Sequence, residues 1–191
     1  MRQVISPGST TGPYFPREFS DGSEDLTRRD GHTARGQHLL LTGRVLELGA
    51  KPTWNMVLEI WQPDASGIFR HPLDPRAAEA DPGFWGWGRA RTAQDGWYRF
   101  KTVLPGAYSG RSPHINCTVL GIGLTRRLLT TIFFSDAPDA VRDPVLDCVT
   151  DQKLRQRLFA RRDPLLDDVG LPAYRFDIIL RGEGETPFFV D

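Results

Sequence analysis

The residues that decide the fold are Leu104-Pro105-Gly106-Ala107-Tyr108-Ser109-Gly110-Arg111-Ser112-Pro113-His114-Ile115-Asn116-Cys117-Thr118-Val119. Proline fixes φ and glycine accepts a positive φ, so residues 104–106 predict a turn that ends the preceding strand. After a short loop a new strand begins, and side chains alternate between the two faces along a strand. His114 and Asn116 therefore share one face, and the apolar residue between them points to the other. We predict a polar cluster here, with Tyr108 and Arg111 in the loop just before it.

The composition is that of one domain, or of one domain with an arm. The chain has 191 residues, and its 24 lysines and arginines balance its 24 aspartates and glutamates. Such a balance provides no long-range field that would attract nucleic acid or an anionic membrane. No apolar run has the length of a membrane span and no secretory pattern is visible, so we expect a soluble, cytoplasmic protein. The two cysteines, Cys117 and Cys148, provide neither a disulfide framework nor a metal-ligand spacing.

Residues 1–36 differ from the rest of the chain. A stretch rich in Ser, Gly, Thr and Pro is followed by a charged segment with few apolar residues, which indicates an extended arm. A disordered tail is the alternative, since tails are common at termini. Tyr14, Phe15 and Phe19 favour the ordered arm, because aromatic rings cost free energy when they are left in water. We predict an arm over residues 1–36 and a β-sandwich domain over residues 37–191.

Most of the remaining chain alternates short strands with Gly/Pro turns. The apolar and alternating patterns predict strands near residues 39–48, 56–62, 89–92, 97–103, 114–120, 128–134 and 174–180. A single helix is predicted from the spacing of four residues, with Asp147 or Thr150 as its cap: Leu146, Val149, Leu154 and Leu158. Short strands, turns and one helix together predict an all-β fold, an antiparallel β-sandwich.

The residues available for chemistry form an incomplete metal site. A mononuclear site needs three or four converging ligands, and none of the four histidines belongs to a His-x-His pair: His32, His38, His71 and His114. Tyr108 could add a phenolate to His114, but two donors do not hold a ferric ion. A lone buried histidine is more often a satisfied core residue than a ligand. The residues alone predict a sandwich with a polar cluster whose purpose stays open.

Several motifs nevertheless resemble, in order and spacing, those of the intradiol ring-cleavage dioxygenases. They are Thr10-Thr11-Gly12-Pro13-Tyr14, Ile60-Trp61-Gln62-Pro63-Asp64, Gly88-Arg89-Ala90-Arg91-Thr92, Asp95-Gly96-Trp97-Tyr98-Arg99-Phe100, Leu104-Pro105-Gly106-Ala107-Tyr108, Pro113-His114-Ile115-Asn116 and Tyr174-Arg175-Phe176-Asp177. The resemblance implies a sandwich core and a non-haem Fe(III) held by two Tyr and two His. It also implies a reaction in which the metal activates a catecholate that O₂ then attacks.

Four positions of this sequence match the family's iron ligands, and we call them the ligand-position cluster: Phe69, Tyr108, His114 and Asn116. Phe69 stands where the family has its first Tyr, and Asn116 stands where it has its second His. Arg111 matches an active-site Arg. A phenyl ring offers no donor and a carboxamide is a poor ligand for Fe(III), so we expect no iron in this chain.

The resemblance also implies a partner. Some members of the family pair an iron-bearing subunit with an iron-free subunit of the same fold, and the arm of the iron-free chain reaches the partner's active site. The matching arm residues here are Thr10, Gly12, Pro13 and Tyr14. The expected cofactor is Fe(III) bound by the partner subunit, and the expected substrate is an aromatic catechol acid. Ile122 replaces an Arg that the family's iron-free chain can place near the substrate.

Two other functions are weighed against this one. A self-sufficient dioxygenase with altered ligands would use Tyr108, His114, His71 and one further group. A non-catalytic sandwich binding module would have no link to ring cleavage and would need no partner. The Thr-Thr-Gly-Pro-Tyr segment of the arm favours the subunit of a heteromeric dioxygenase.

Overall fold

The computed structural model describes Thr10, residues 22–137 and residues 143–190. Twelve strands, two short α-helices and three single 3₁₀ turns (Leu48–Ala50, Ala77–Glu79 and Pro164–Leu166) form the described part of the fold. The strands are β1 (Arg28–Arg29), β2 (His32–Thr33), β3 (His38–Glu47), β4 (Lys51–Pro52), β5 (Val57–Trp61), β6 (Trp87–Arg91), β7 (Trp97–Val103), β8 (His114–Leu120), β9 (Leu128–Phe134), β10 (Phe159–Arg162), β11 (Ala173–Arg175) and β12 (Ile178–Ile179). The helices are α1 (Pro144–Cys148) and α2 (Gln152–Gln156).

One sheet curls around to form both layers of a sandwich. The strand order along it is β12-β3-β11-β10-β9-β8-β5-β6, with β4 and β7 also paired to β3. The short strand β10 joins the layers, because Phe159 and Ala160 pair with β9 while Arg161 and Arg162 pair with β11. The antiparallel ladders β5–β8 and β8–β9 make β8 an inner strand of its layer.

The core lies between the two layers and follows the alternation expected of strands. On β3 the residues Leu39, Leu41 and Val45 are fully buried, and on β8 Ile115 and Val119 are fully buried. The opposite face of β8 carries His114, Asn116 and Thr118. This alternation directs the polar cluster away from the core and toward the loops that surround it.

The predicted fold class, a β-sandwich, is confirmed. The pairing is not purely antiparallel, since β9–β10, β3–β11 and β3–β12 are parallel. Four strands were not predicted: β1 and β2, which lie within the predicted arm, and β4 and β10. The predicted closing strand over 174–180 is divided into β11 and β12, and Phe176 and Asp177 lie between them.

The prediction of a single helix over residues 146–158 was wrong. Two five-residue helices occupy this region, and the chain is extended at Val149 and Asp151 between them. The caps also differ from the prediction, because Asp143 caps α1 and Asp151 caps α2 with their side-chain oxygens. Each Asp satisfies backbone N–H groups that have no partner within the first helical turn.

The segment before β3 packs on the sandwich from residue 24 onward. Leu26 is fully buried in the core, and its backbone N–H donates to the carbonyl of Lys101. The division at residue 36 between arm and domain stays a prediction. Among the described residues, no helix has the length and apolar content required to cross a bilayer.

Candidate functional site

The ligand-position cluster rests on two turns whose backbones touch. Gly67 ends the turn after β5 and has φ of 74°, and a Cβ there would lie 2.2 Å from the carbonyl oxygen of Ala107. Gly106 lies in the turn after β7, and a Cβ there would lie 2.3 Å from the backbone nitrogen of Gly67. Only glycine allows this approach. The contact brings the loops that carry Phe69 and Tyr108 side by side.

Asp64 holds the same turns together and is 4% exposed. Its Oδ1 accepts hydrogen bonds from the backbone of Ser66 at 2.9 Å and of Ile68 at 3.0 Å. Its Oδ2 accepts from the N–H of Asp81 at 2.9 Å, and its carbonyl accepts from Gly106 at 2.9 Å. The buried carboxylate therefore fixes the loop between β5 and β6, and the backbone carbonyl of the same residue joins that loop to the turn after β7.

The ring of Phe69 packs between two other aromatic side chains. Its centroid lies 5.1 Å from that of Trp61 and 4.9 Å from that of Tyr108, and the Tyr108 contact is edge-to-face at 89°. These are favoured distances and angles for aromatic pairs. A phenyl ring thus fills the position that the sequence resemblance assigns to a phenolate ligand.

Tyr108 and His114 form a hydrogen bond with each other. The Nδ1 atom of His114 lies 2.7 Å from the carbonyl oxygen of Ser112, which can only accept, so Nδ1 carries the proton. Nε2 is therefore the acceptor for the hydroxyl of Tyr108, at 3.3 Å. Burial raises the pKa of Tyr108 and lowers the pKa of His114. Both groups are accordingly neutral at pH near 7.

Arg111 is held by a carboxylate that the sequence analysis did not single out. Its Nε donates to Oδ2 of Asp143 at 2.7 Å, and Asp143 is fully buried. The same oxygen accepts from the backbone of Ser112 at 2.9 Å, and Oδ1 accepts from Val145 at 2.8 Å. The Nη2 atom of Arg111 is buried and has no hydrogen-bond partner among the described residues. Asp143 thus fixes both the loop before β8 and the start of α1.

Asn116 lies two residues along β8 from His114, on the same face. Its Cα partners are Trp61 on β5 and Thr131 on β9. The hydroxyl of Thr131 lies 3.5 Å from Oδ1 of Asn116, at the limit of a hydrogen bond. The structure therefore gathers Phe69, Tyr108 and His114 in direct contact, with Asn116 one step farther along the strand.

The donors of this cluster do not fit a ferric ion. The phenol and the imidazole satisfy each other, the phenyl ring of Phe69 has no donor, and the amide of Asn116 is a weak ligand for Fe(III). No group of three or more His, Cys, Asp and Glu side chains in the described part of the chain is arranged to hold a metal ion.

Two other sequence-predicted positions meet at the far end of β8. The hydroxyl of Thr10 donates to the carbonyl of Gly121 at 3.0 Å and accepts from the N–H of Gly123 at 2.9 Å. Ile122 lies between these glycines and is 42% exposed. Four strand residues, 117–120, at about 3.3 Å each separate this turn from Asn116, and His114 stands at the opposite end of β8. The predicted arm positions Gly12, Pro13 and Tyr14 lie outside the described residues.

Sequence reasoning missed Asp64 and Asp143, which hold the loops of the site. A signal was present for Asp143, since an Asp followed by Pro and then a helical pattern is typical of an N-cap. Asp64 stands in a Pro-Asp-Ala-Ser-Gly turn, and an Asp in such a turn often bonds to the backbone that follows. Neither local pattern identifies the hydrogen-bond partners of these two aspartates that are distant in sequence.

Comparison with known proteins places the chain among ring-cleaving dioxygenases. A family model described as "Dioxygenase" matches residues 10–182. The protocatechuate 3,4-dioxygenase beta chain of Burkholderia cepacia is 38% identical over 185 residues, which cover 91% of this chain and 78% of that one. The alpha chain of the same enzyme from Burkholderia cepacia is 35% identical over 197 residues, covering 96% of each chain.

A solved structure agrees with the fold. The 3-chlorocatechol 1,2-dioxygenase of Rhodococcus opacus 1CP superimposes with a TM-score of 0.62 at 20% identity, covering 91% of this chain and 72% of that one. At this identity the likeness concerns the fold alone. The sequence relatives and the family match, taken together, confirm the resemblance found in the motifs, and the chain belongs to the intradiol dioxygenase family.

Proposed function

We propose that this chain is the alpha subunit, without iron, of a protocatechuate 3,4-dioxygenase. The observation that supports this proposal most directly is the arrangement of side chains in the ligand-position cluster. Tyr108 and His114 are hydrogen bonded to each other, Phe69 fills a donor position with a phenyl ring, and Asn116 offers an amide. Fe(III) would be bound by a beta subunit of the same fold, and this chain would complete the partner's substrate pocket.

The curated relatives include chains of both kinds. The match to the beta chain has the higher identity, 38%, but covers 78% of that chain. The match to the alpha chain, at 35% identity, covers 96% of its length. A second alpha chain, from Pseudomonas putida, is 32% identical and is covered over 95% of its length.

In the proposed complex, the iron of the partner supplies activation of a catecholate toward O₂. The substrate is protocatechuate, an aromatic catechol acid, and ring cleavage between the two hydroxyl-bearing carbons takes up both oxygen atoms. The product is 3-carboxy-cis,cis-muconate. The proposed contribution of this chain is the arm, in which Gly12 and Pro13 would offer backbone carbonyls and Tyr14 a flat ring beside the aromatic substrate.

The contacts of Thr10 support this placement of the arm. Its hydroxyl bridges Gly121 and Gly123, so Thr10 lies beside Ile122. The resemblance assigned both Thr10 and Ile122 to the surroundings of the partner's substrate. That two positions so far apart in sequence meet at one turn supports a common role for them.

A surface rich in tryptophan supports the presence of a partner. Trp61, Trp85 and Trp87 are 48%, 50% and 41% exposed, and we call these three residues the tryptophan face. Trp61 and Trp87 are Cα partners across β5 and β6. Arg29 stacks over Trp85 at 4.8 Å and Arg89 over Trp87 at 5.2 Å. Exposed Trp beside Arg is the composition enriched at the centres of protein interfaces.

Expression with and without the partner tests the proposal. We expect iron and protocatechuate-dependent O₂ uptake in the co-purified complex, and neither in the chain alone. Stoichiometric iron and turnover by the chain alone would establish the self-sufficient dioxygenase instead. A stable monomer that never associates with a beta chain would favour the non-catalytic binding module.

The arm is tested separately through Tyr14. In the complex, Tyr14→Ala should raise the KM for protocatechuate and leave the iron content unchanged, because the aromatic wall is lost and the metal site is not. Tyr14→Phe is the matched control, since it keeps the ring. Kinetics that do not change in Tyr14→Ala would contradict the role of the arm while leaving the subunit assignment intact.

A further inference from the structure

An open groove with a volume of about 590 Å³ lies where α2 meets β10 and β11. Five cationic side chains line it: Lys153, Arg157, Arg161, Arg162 and Arg175. Two carboxylates line it as well, those of Asp163 and Asp177. None of its lining residues belongs to the ligand-position cluster or to the tryptophan face. We call this site the basic groove, and the pairing of its charges decides what it could bind.

Two of the five cations are neutralised within the chain. Arg162 binds the two oxygens of Asp167 through Nη1 and Nη2, each at 2.6 Å. Arg175 binds Asp177 through Nε and Nη2, and the shortest of these contacts is 2.8 Å. Because these charges cancel in pairs, neither arginine adds to the net attraction of the groove for an anion.

The other three cations have no carboxylate partner among the described residues. Lys153 and Arg161 are exposed and their charges are unpaired there. Arg157 donates through Nη1 to the backbone carbonyl of Glu185 at 3.2 Å, an acceptor without formal charge. Against these three stands one carboxylate of the groove, that of Asp163. Three unpaired cations and one carboxylate leave two positive charges in excess.

The unpaired cations come from two elements, α2 and β10. Lys153 and Arg157 are four residues apart, near the start of α2 and at its C-cap, so they lie on one face of the helix. Arg161 lies on β10, and its Cα partner across the antiparallel ladder is Arg175 on β11. The residue directly opposite Arg161 is thus another guanidinium rather than a carboxylate that could neutralise it.

The segment after β12 adds a hydroxyl donor to the groove. Thr186 is 3% exposed and lines the groove. Its Oγ1 accepts from the N–H of Ile179 at 2.9 Å, and its own proton has no acceptor in the described part of the chain. Donors therefore come from α2, from β10 and from this segment. A phosphate group has three strong acceptor oxygens that point in different directions, so it suits such donors better than a planar carboxylate does.

We infer that the basic groove binds a phosphorylated small molecule, with the phosphate among Lys153, Arg157 and Arg161 and the organic part against Phe159 and Ile179, which also line the groove. A phosphate monoester carries about two negative charges at pH near 7, which matches the excess of positive charge. The inference uses no residue of the arm, of the ligand-position cluster or of the tryptophan face, so its outcome is independent of the proposed function.

Calorimetric titration of the full chain with phenyl phosphate, at about 150 mM NaCl to screen weak contacts, tests the inference. We expect saturable binding of phenyl phosphate. Phenyl sulfate has a similar shape and one negative charge, and it should bind more weakly, as should citrate, whose charges are on planar carboxylates. Arg161→Gln and Lys153→Gln should each weaken phenyl phosphate about fivefold, since an exposed charge contact is worth about 1 kcal/mol.

Two variants serve as matched controls. Arg126→Gln and Lys51→Gln remove exposed cations that do not line the groove, and neither should alter the affinity for phenyl phosphate. All four substituted side chains are exposed, so no variant removes a core contact. The inference is overturned if phenyl phosphate does not bind saturably, if citrate or phenyl sulfate binds as tightly, or if Arg161→Gln and Lys153→Gln bind phenyl phosphate as the controls do.

Discussion

Tyr108 donates a hydrogen bond to Nε2 of His114 across 3.3 Å, at the place where the family resemblance assigns two iron ligands. The backbone of Ser112 fixes the imidazole from its other side. Burial keeps the phenol protonated and the imidazole neutral, because it raises the pKa of the first and lowers the pKa of the second. Two groups that the resemblance assigns to iron binding therefore satisfy each other in this chain.

Restoring the two missing donors should move the chain toward iron binding. Phe69→Tyr with Asn116→His would supply a phenolate and an imidazole beside Tyr108 and His114. We expect the iron content of the double variant to rise from background toward a stoichiometric amount, with a visible tyrosinate-to-Fe(III) absorption band. The lost Tyr108–His114 hydrogen bond costs only about 1 kcal/mol, less than the gain from new ligands.

The control for this experiment is the same double variant with Tyr108→Phe, which should lose the band and most of the iron. If the double variant itself binds no iron, the donors are not free to converge. That result would show that packing around Phe69 has closed the site, and it would leave the absence of a donor set in the natural chain unchanged.

The low pKa of His114 predicts a loss of stability in mild acid. In the unfolded chain the imidazole has a pKa of about 6.5, whereas burial lowers its pKa in the folded chain. The unfolded state then binds more protons, so the stability contributed by neutral His114 is complete above about pH 6.5 and is lost as pH falls toward the folded pKa. The charged groups near it, Arg111 and Asp143, are paired with each other.

We expect the free energy of unfolding to fall between about pH 7.5 and about pH 5.5 through this residue, by no more than about 1.4 kcal/mol, the limit that the unfolded pKa sets. Urea unfolding at both pH values measures the change, and in His114→Gln that part of the decline should be absent. His32→Gln is the control, because His32 is exposed and its removal should leave the decline as it was. An equal decline in both variants would assign the pH dependence to other groups.

Asp143 should be among the most sensitive positions in the chain. Asp143→Ala leaves the guanidinium of Arg111 without its anion and removes the cap of α1. Removing one partner of a buried pair leaves an uncompensated charge, so we expect a loss of about 2–4 kcal/mol in the free energy of unfolding. Chemical denaturation measures this loss.

Two further variants separate the causes. Asp143→Asn keeps an oxygen that can cap the helix. The decrease in its free energy of unfolding relative to the natural chain therefore reports the loss of the charge pair alone. Asp147→Asn changes an exposed carboxylate in the same helix and should cost less than about 0.5 kcal/mol. If Asp143→Ala lowers the free energy of unfolding no more than Asp147→Asn does, the pair with Arg111 does not stabilise the fold.

The polar cluster could be predicted from the sequence because strand alternation is local. His114 and Asn116 are two residues apart, so any strand there places them on one face, and β8 does so. The pairing of Arg111 with Asp143 spans 32 residues, and no local pattern reports it. The same limit applies to Thr10, whose contacts with Gly121 and Gly123 lie more than a hundred positions away.

The region of the two short helices shows a different limit. The apolar spacing from Leu146 to Leu158 fits one helix, but Asp151 caps a second helix and so breaks the first pattern. The following residues, Phe159–Arg162, form β10 because they can pair with both β9 and β11. That pairing depends on where the two layers of the sandwich meet. The sequence pattern of a single segment carries no information about this position, so it could not predict β10.

The contact between the two turns of the site predicts that alanine substitution at two glycines will lower the free energy of unfolding by different amounts. Gly67 and Gly110 both have φ of 74°. A Cβ at Gly67 would lie 2.2 Å from the backbone oxygen of Ala107, whereas nothing lies within 4 Å of a Cβ at Gly110. Gly110→Ala should therefore cost about 1 kcal/mol of backbone strain, and Gly67→Ala about 2 kcal/mol or more beyond that. Denaturant titration of both variants measures the difference, and equal losses would mean that the turns separate freely.

Trp87 should contribute to association with the proposed partner more than to the stability of the chain itself. It is 41% exposed, pairs with Trp61 across β5 and β6, and carries the guanidinium of Arg89 at 5.2 Å from its ring. Trp87→Ala should weaken the complex about tenfold or more, because truncation of a central interface tryptophan often costs more than 1 kcal/mol. The free energy of unfolding of this variant should differ little from that of the natural chain, since the side chain is not part of the core.

Trp54→Ala is the control, since Trp54 is 60% exposed and precedes β5 at its other end. Analytical ultracentrifugation of each variant with the partner measures the dissociation constant, and equal constants for the two variants would remove the tryptophan face from the interface.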